Sequence, residues 1–411
     1  MKKPVKQLWS KGLRFFIAFL LAFHFLLPMS AFPDADRLKN FPAQVVIEDI
    51  IHVPTGQKIP FSALSSFFDC ASVLYVGETH ANKASHQVQL KILKAHYERF
   101  GSKLAIGMEM FTRPYQPFLD QWVAGEIDEK KFLEDTRWYG EWGFDYALYK
   151  EILDFAREKK IPVIALNAPK EVVTMVRTKG LIDLSEEEKK LLPEIDTSDF
   201  FHRFYLEKVL PELVKRMANI ERFDNVQCLW EEYMAQIITD YLSSWEGKDR
   251  KFLAFVGNGH IIYDFGIPKR VFRRAFLPYY TIYTTEFKDG KPTAQHLFMP
   301  EIPLEPADFV WAIAPLEPEK KRVYLGVRFQ KRDDNKLVIE KITPKSPAEK
   351  TGFLEGDVIL SIDHKAVKNA MELIHYLQTK RFGDTCIVEI DRDGTKITYA
   401  VTLFEFEREE K

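Results

Sequence analysis

The sequence predicts an α/β fold, a mainly parallel sheet with helices on both faces, followed by a smaller α+β block. Three observations predict it. Short apolar runs alternate with long amphipathic stretches over the first three quarters of the 411 residues. The apolar runs are hydrophobic at consecutive positions, as strands covered on both faces must be. Near residue 300 the composition changes, and the remainder reads as short strands, Gly-containing turns and one helix.

Four strands follow from the apolar runs, at Val73–Val76, Leu104–Met108, Pro162–Leu166 and Phe252–Val256. Amphipathic periodicity puts helices at Ala84–Phe100, Tyr146–Lys159, Lys170–Lys179, Phe200–Ile220 and Leu229–Trp245. Pro300, Pro303, Pro306, Pro315 and Pro318 punctuate a stretch whose one apolar run is Phe309–Ala314, which reads as a linker over 300–321. Beyond it, a helix is expected at Ala370–Thr379 with Asn369 as N-cap. The domain plan is thus 1–31, 32–299, 300–321 and 322–411.

With 46% hydrophobic and 14% aromatic residues the chain can fill substantial cores. The net charge of -2, from 58 basic and 60 acidic residues, gives no electrostatic case for nucleic acid. Residues 1–31 have the layout of an export signal: Lys2, Lys3, Lys6, Lys11 and Arg14, then an apolar run from Phe15 to Leu27, then Pro28-Met29-Ser30-Ala31. Cleavage after Ala31 and retention as a membrane anchor are the two outcomes, and both imply the periplasm or cell envelope. Cys70 is the first cysteine, so lipoprotein processing has no acceptor. Cys70, Cys228 and Cys386 form no C-x-x-C pair, which argues against structural zinc or covalently attached haem; buried free thiols are expected over a Cys70–Cys228 disulfide.

The candidate active site rests on a repeated tetrapeptide. Gly77-Glu78-Thr79-His80 and Gly257-Asn258-Gly259-His260 each follow a predicted buried strand, and a third strand runs Leu104-Ala105-Ile106-Gly107-Met108-Glu109 into a carboxylate. Carboxyl ends of adjacent strands are where open α/β sheets place ligand sites, so His80, His260, Glu78 and Glu109 are expected at one rim. Glycine is expected there to let the chain turn and the histidine reach back. Two imidazoles and a carboxylate suit a divalent transition metal with one position left for water, giving His80, Glu109 and His260 as ligands and a second carboxylate as base. Without metal, a Glu–His pair would activate water directly. The sequence leaves open which of Glu78 and Glu109 takes which role.

Residues from about Val73 to Glu286 resemble the ChaN-like family, in the superfamily that includes Tiki metalloproteases and, more distantly, erythromycin esterases. Tiki-type sites use two Gly-x-x-His motifs and an intervening Glu, which map onto Gly77–His80, Gly257–His260 and Glu109. Trp138, Trp142, the run Asp145-Tyr146-Ala147-Leu148-Tyr149, and Ala165-Leu166-Asn167-Ala168-Pro169 agree with ChaN-like proteins. The resemblance implies either a hydrolase, metal-dependent and peptidase-like, or a non-enzymatic haem binder in which Tyr139, Tyr146 or a histidine meets iron. A scaffold that has lost its chemistry is the third reading.

From Tyr324 to Phe404 the order Tyr324-Leu325-Gly326-Val327, Ser346-Pro347-Ala348, Gly356-Asp357-Val358-Ile359, Gly383-Asp384 and Arg392-Asp393-Gly394 resembles bacterial PDZ domains of envelope proteases. The resemblance implies capture of a peptide C-terminus by backbone amides of Leu325, Gly326 and Val327, with Lys321 and Arg322 nearby.

Overall fold

The computed structural model describes residues 42, 44–211, 220–316, 323–330, 336–367, 370–378 and 380–406. The proposed signal, Lys321, Arg322 and Asn369 lie outside the described residues. Among the described residues no helix is long and apolar enough to cross a membrane. The chain divides into two compact units, 1–316 and 317–411.

Among the described residues the first unit has nine strands: β1 Ile50–His52, β2 Gln57–Ile59, β3 Val73–Glu78, β4 Leu104–Thr112, β5 Val163–Asn167, β6 Lys251–Gly257, β7 Tyr279–Lys288, β8 Lys291–Pro292 and β9 Phe309–Ile313. Their order across the sheet is β2-β1-β9-β7-β3-β6-β4-β5, with β8 beside β7. The strands from β9 to β5 pair in parallel, and β1, β2 and β8 add antiparallel edges. Strand alternation sends Leu74, Val76, Ile106 and Met108 to one face, where the helices Lys83–Phe100, Gln116–Ala124 and Lys150–Lys159 cover them. Val73, Tyr75, Ala105 and Ile164 go to the other, beneath the helices Ile220–Ser243 and Ile267–Ala275. The predicted fold class is the one observed.

The Pro-rich stretch differs from expectation. Residues 300–321 were expected as a linker, but Phe309–Ile313 is a strand buried at every position and paired on both sides, with β7 and with β1. Pro306 and Pro315 flank the strand instead of interrupting it, so neither removes a ladder donor. Strand β7 was also missed, because its Tyr- and Thr-rich run lacks the continuous aliphatic signature of β3 and β6. In the helical region, Phe200–Val209 ends before the predicted Ile220, and Ile220 lies in the helix Ile220–Ser243; 212–219 lie outside the described residues.

The second unit is an antiparallel sheet ordered β10-β11-β12-β14-β15, from Val327–Phe329, Leu337–Ile342, Val358–Ile362, Thr385–Arg392 and Thr395–Thr402, with β13 Lys365–Ala366 beside β12. The helices Pro347–Thr351 and Ala370–Gln378 complete its α+β core.

Trp311 is fully buried at the centre of β9. Trp311→Ala should destabilise the first unit by about 3–5 kcal/mol in denaturant unfolding. A chain ending at residue 299 should fail to give a cooperative transition, whereas one ending at residue 316 should retain it.

Candidate active site

Strands β3 and β6 pair in register from Val73↔Phe252 to Glu78↔Gly257, and β4 flanks β6. Their carboxyl ends therefore lie side by side, and the predicted residues meet there. The two glycines serve a purpose the sequence did not suggest. A Cβ on Gly257 would lie 2.9 Å from His80 Cε1 and 3.2 Å from its Nε2, while a Cβ on Gly77 would lie 2.2 Å from Asn258 Oδ1 and 2.7 Å from Ile261 Cδ1. Each motif's glycine makes room for side chains of the other motif. Neither glycine has a positive φ, so the turn after each strand does not by itself require glycine.

Glu78 is buried; its Oε1 is hydrogen-bonded, and its Oε2 has an ion-pair neighbour but no hydrogen-bond partner. Oε1 faces His80 Nδ1 at 2.8 Å and accepts from Tyr149 Oη at 2.7 Å; Oε2 lies 3.2 Å from His86 Nδ1. His86 Nε2 reaches the His80 carbonyl at 3.0 Å, and Trp142 Nε1 donates to Tyr149 Oη at 3.2 Å. Burial alone would raise the Glu78 pKa, but the charge of His86 and the hydrogen bond from His80 hold it far below the usual carboxylate range. Burial opposes charge on His80 as well, and the bond to Glu78 and the field of Glu109 outweigh it and raise its pKa. Through Oε1 Glu78 orients the His80 imidazole, and through Oε2 it sets a negative charge beside His86.

Glu109 lies where the β4–β5 register breaks, between Met108 and Thr112. Its Oε2 accepts the Gly257 N–H at 2.6 Å, its Oε1 is 3.5 Å from His260 Nε2, and its carbonyl accepts from Asn167 Nδ2 at 3.0 Å. Burial pushes its pKa up and the His260 charge pulls it down further, leaving it lowered. His260 Nδ1 faces Glu231 Oε1 at 3.4 Å. Burial disfavours the imidazolium, yet Glu109 and Glu231 together lift its pKa to about 10. The attraction is thus complete below pH 6.5 and is lost as pH rises through about 10.

Glu231, His202, Arg270 and His86 escaped sequence reasoning, and Tyr149 was singled out only within a run resembling ChaN-like proteins. They come from helices on both faces of the sheet with no local spacing in common, and only the pairing of buried acidic and basic residues on amphipathic helices hinted at them. Three metal-compatible ligand atoms lie mutually within 4.8 Å at His202, Cys228 and Glu231, and not at His80, Glu109 and His260. Arg270 argues against a cation at the first group, because Nη2 donates to Cys228 Sγ at 3.3 Å and to Glu231 Oε2 at 3.1 Å. A guanidinium already supplies the positive charge there. The cysteines are free; Cys228 is buried, but Cys70 is exposed, contrary to expectation.

His80 is the most open member, with 31% of its side chain exposed, and its ring lies against Trp142 and Phe144 at 4.8 and 5.2 Å. Tyr146, expected as an iron ligand, is 3% exposed and packs edge-on to Trp138, so it is unavailable to a bound group.

In the second unit Leu325 is buried and Gly326 has φ 83°, a conformation suited to glycine. A Cβ there would meet Ser346 Cβ at 2.1 Å, so the glycine admits the Ser346 side chain as well as bending the loop. Val327 opens β10, which ends the sheet and, among the described residues, leaves one edge unpaired, as strand addition by a peptide requires.

This architecture is an α/β domain with a histidine–carboxylate site at its strand ends, joined to a peptide-binding type of module. Residues 68–271 match the family described as haem-binding uptake, Tiki superfamily, ChaN, and residues 323–403 match the PDZ domain family. A probable periplasmic serine endoprotease DegP-like of Marinomonas sp. is 32% identical over 69 residues, 17% of this chain and 15% of that protein. The serine endoprotease DegS of Salmonella typhimurium is 30% identical over 70 residues, 17% of this chain and 20% of that protein. These matches are confined to the PDZ domain, and the chain spans a fifth or less of the length of those relatives. A solved structure of cofacial heme binding to ChaN of Campylobacter jejuni is similar at 19% identity with a TM-score of 0.47, over 64% of this chain and 95% of that one.

Gly257→Ala should fold, since φ -60° and ψ 142° suit alanine. It should nonetheless displace His80, visible as altered His80 ring signals in NMR beside an unchanged circular dichroism spectrum.

Proposed function

We propose that the first unit is a divalent-metal-dependent hydrolase of the cell envelope, peptidase-like, with His80, Glu109 and His260 as the metal-binding residues and the PDZ domain recruiting peptide ends. One observation carries the reading: both imidazoles turn Nδ1 to a buried carboxylate, His80 to Glu78 at 2.8 Å and His260 to Glu231 at 3.4 Å. That leaves each Nε2 on the side of Glu109, the arrangement in which outer carboxylates orient metal-binding histidines. His260 Nε2 is already 3.5 Å from Glu109, and His80, the most exposed of the three, is the side chain free to complete the set. A divalent cation held there supplies a Lewis acid that brings the pKa of a bound water toward neutrality. Glu109 and the two imidazoles would provide three protein ligands; Glu78 holds the His80 ring, and Trp142 and Phe144 lie against it. The chemistry such a cation would supply at the open rim is the addition of water across the amide bond of a peptide, with the proton going to the leaving amine. Export is supported by the basic and apolar pattern of residues 1–31.

Elemental analysis of protein purified without chelators tests the site. About one equivalent of zinc, manganese or cobalt is expected, lost in a His80→Ala/His260→Ala variant and retained in Cys228→Ser. Peptide hydrolysis should fall at least about 100-fold in His80→Ala, Glu109→Ala and His260→Ala. Metal in none of the proteins after reconstitution, or activity retained in all three single variants, would contradict the proposal.

Haem binding is the second reading. The family description supports it, as do the half-buried His80 ring and the half-buried Trp142 and Phe144 beside it. On this reading haemin gives a Soret band that weakens in His80→Ala and is unchanged in Tyr146→Phe.

A further inference from the structure

We propose that Glu231 and Arg270 are positioning residues that fix the ring of His260, making it the rigid member of the site and leaving His80 the adaptable one. This rests on the metal-site reading above and extends it to residues that touch neither substrate nor cation.

Glu231 lies on the helix Ile220–Ser243 and is 1% exposed. One of its oxygens, Oε2, accepts from Arg270 Nε at 3.2 Å and Nη2 at 3.1 Å. The other, Oε1, faces His260 Nδ1 at 3.4 Å and His202 Nε2 at 3.3 Å. Arg270 is ten residues past His260, on the helix Ile267–Ala275, and is also 1% exposed. Its Nη1 donates to the Asp196 carbonyl at 3.0 Å and pairs with Glu232, so the guanidinium is held from both ends.

Burying a guanidinium and a carboxylate is rarely the most stable use of that volume, since desolvation offsets most of their attraction. What the fork provides is orientation. Both guanidinium donors converge on Oε2, which sets Oε1 as the oxygen that faces His260 Nδ1 and His202 Nε2. The ring is then fixed with Nε2 toward Glu109. Glu78, the matching carboxylate behind His80, has no such anchor. Its partners are His80, His86 and Tyr149, and the imidazole it orients is more exposed, 31% against 13% for His260.

The test compares the full chain with Glu231→Gln and Arg270→Lys, each with 15N-labelled histidine. Ring nitrogen signals are read in metal-free protein by NMR, and zinc affinity is read by calorimetry. In the wild type, His260 should show one sharp ring state. In both variants its signals should shift or broaden, zinc should bind roughly 10- to 100-fold more weakly, and His80 signals should stay in place. His260 signals and zinc affinity both unchanged in a folded variant would overturn the assignment. Loss of folding in both variants would also overturn it, in favour of a purely structural pair. Absence of zinc binding in the wild type would defeat only the metal-site reading, and the ring signals would still decide the positioning role.

Discussion

The site depends on one packing constraint, the crossing of two glycine motifs at the ends of adjacent parallel strands. β3 and β6 run in register for six residues, and at their carboxyl ends the imidazole of His80 occupies the space above Gly257 while the Asn258 side chain occupies the space above Gly77. Interiors packed at crystal-like density leave no slack for an extra methyl at such a crossing. The constraint ties two segments 180 residues apart to one geometry and explains why the same residue type recurs at both.

Around that crossing the fold balances buried charge from both faces of the sheet. Glu78 takes His86 and Tyr149 from the side covered by Lys83–Phe100 and Lys150–Lys159. Glu231 takes His202 and Arg270 from the side covered by Ile220–Ser243 and Ile267–Ala275. Buried carboxylates left without such partners would take up protons instead. The sheet thus positions the central groups, and each helical layer contributes one carboxylate network that orients one histidine.

Much of this was legible in the sequence. The strands β3, β4, β5 and β6 announce themselves by consecutive apolar residues, and Glu78, His80, Glu109 and His260 sit at predictable offsets from their ends. Glu231 and Arg270 do not, because a helical residue reaches the site through the packing angle of its helix, which no local spacing encodes. The strand Phe309–Ile313 was hidden by the prolines around it, since Pro reads as linker unless its position relative to the ladder is known. The PDZ motifs were clear from the order of their glycines, although the contact that requires Gly326, with Ser346, lies twenty residues away.

The most direct test of the central claim is a crystal structure with anomalous diffraction recorded at the edge of the metal bound by the purified protein. The account predicts one strong anomalous peak within bonding distance of His80 Nε2, His260 Nε2 and a Glu109 oxygen, with Glu78 and Glu231 still on the Nδ1 atoms. A peak among His202, Cys228 and Glu231, or none near the two imidazoles, would contradict it.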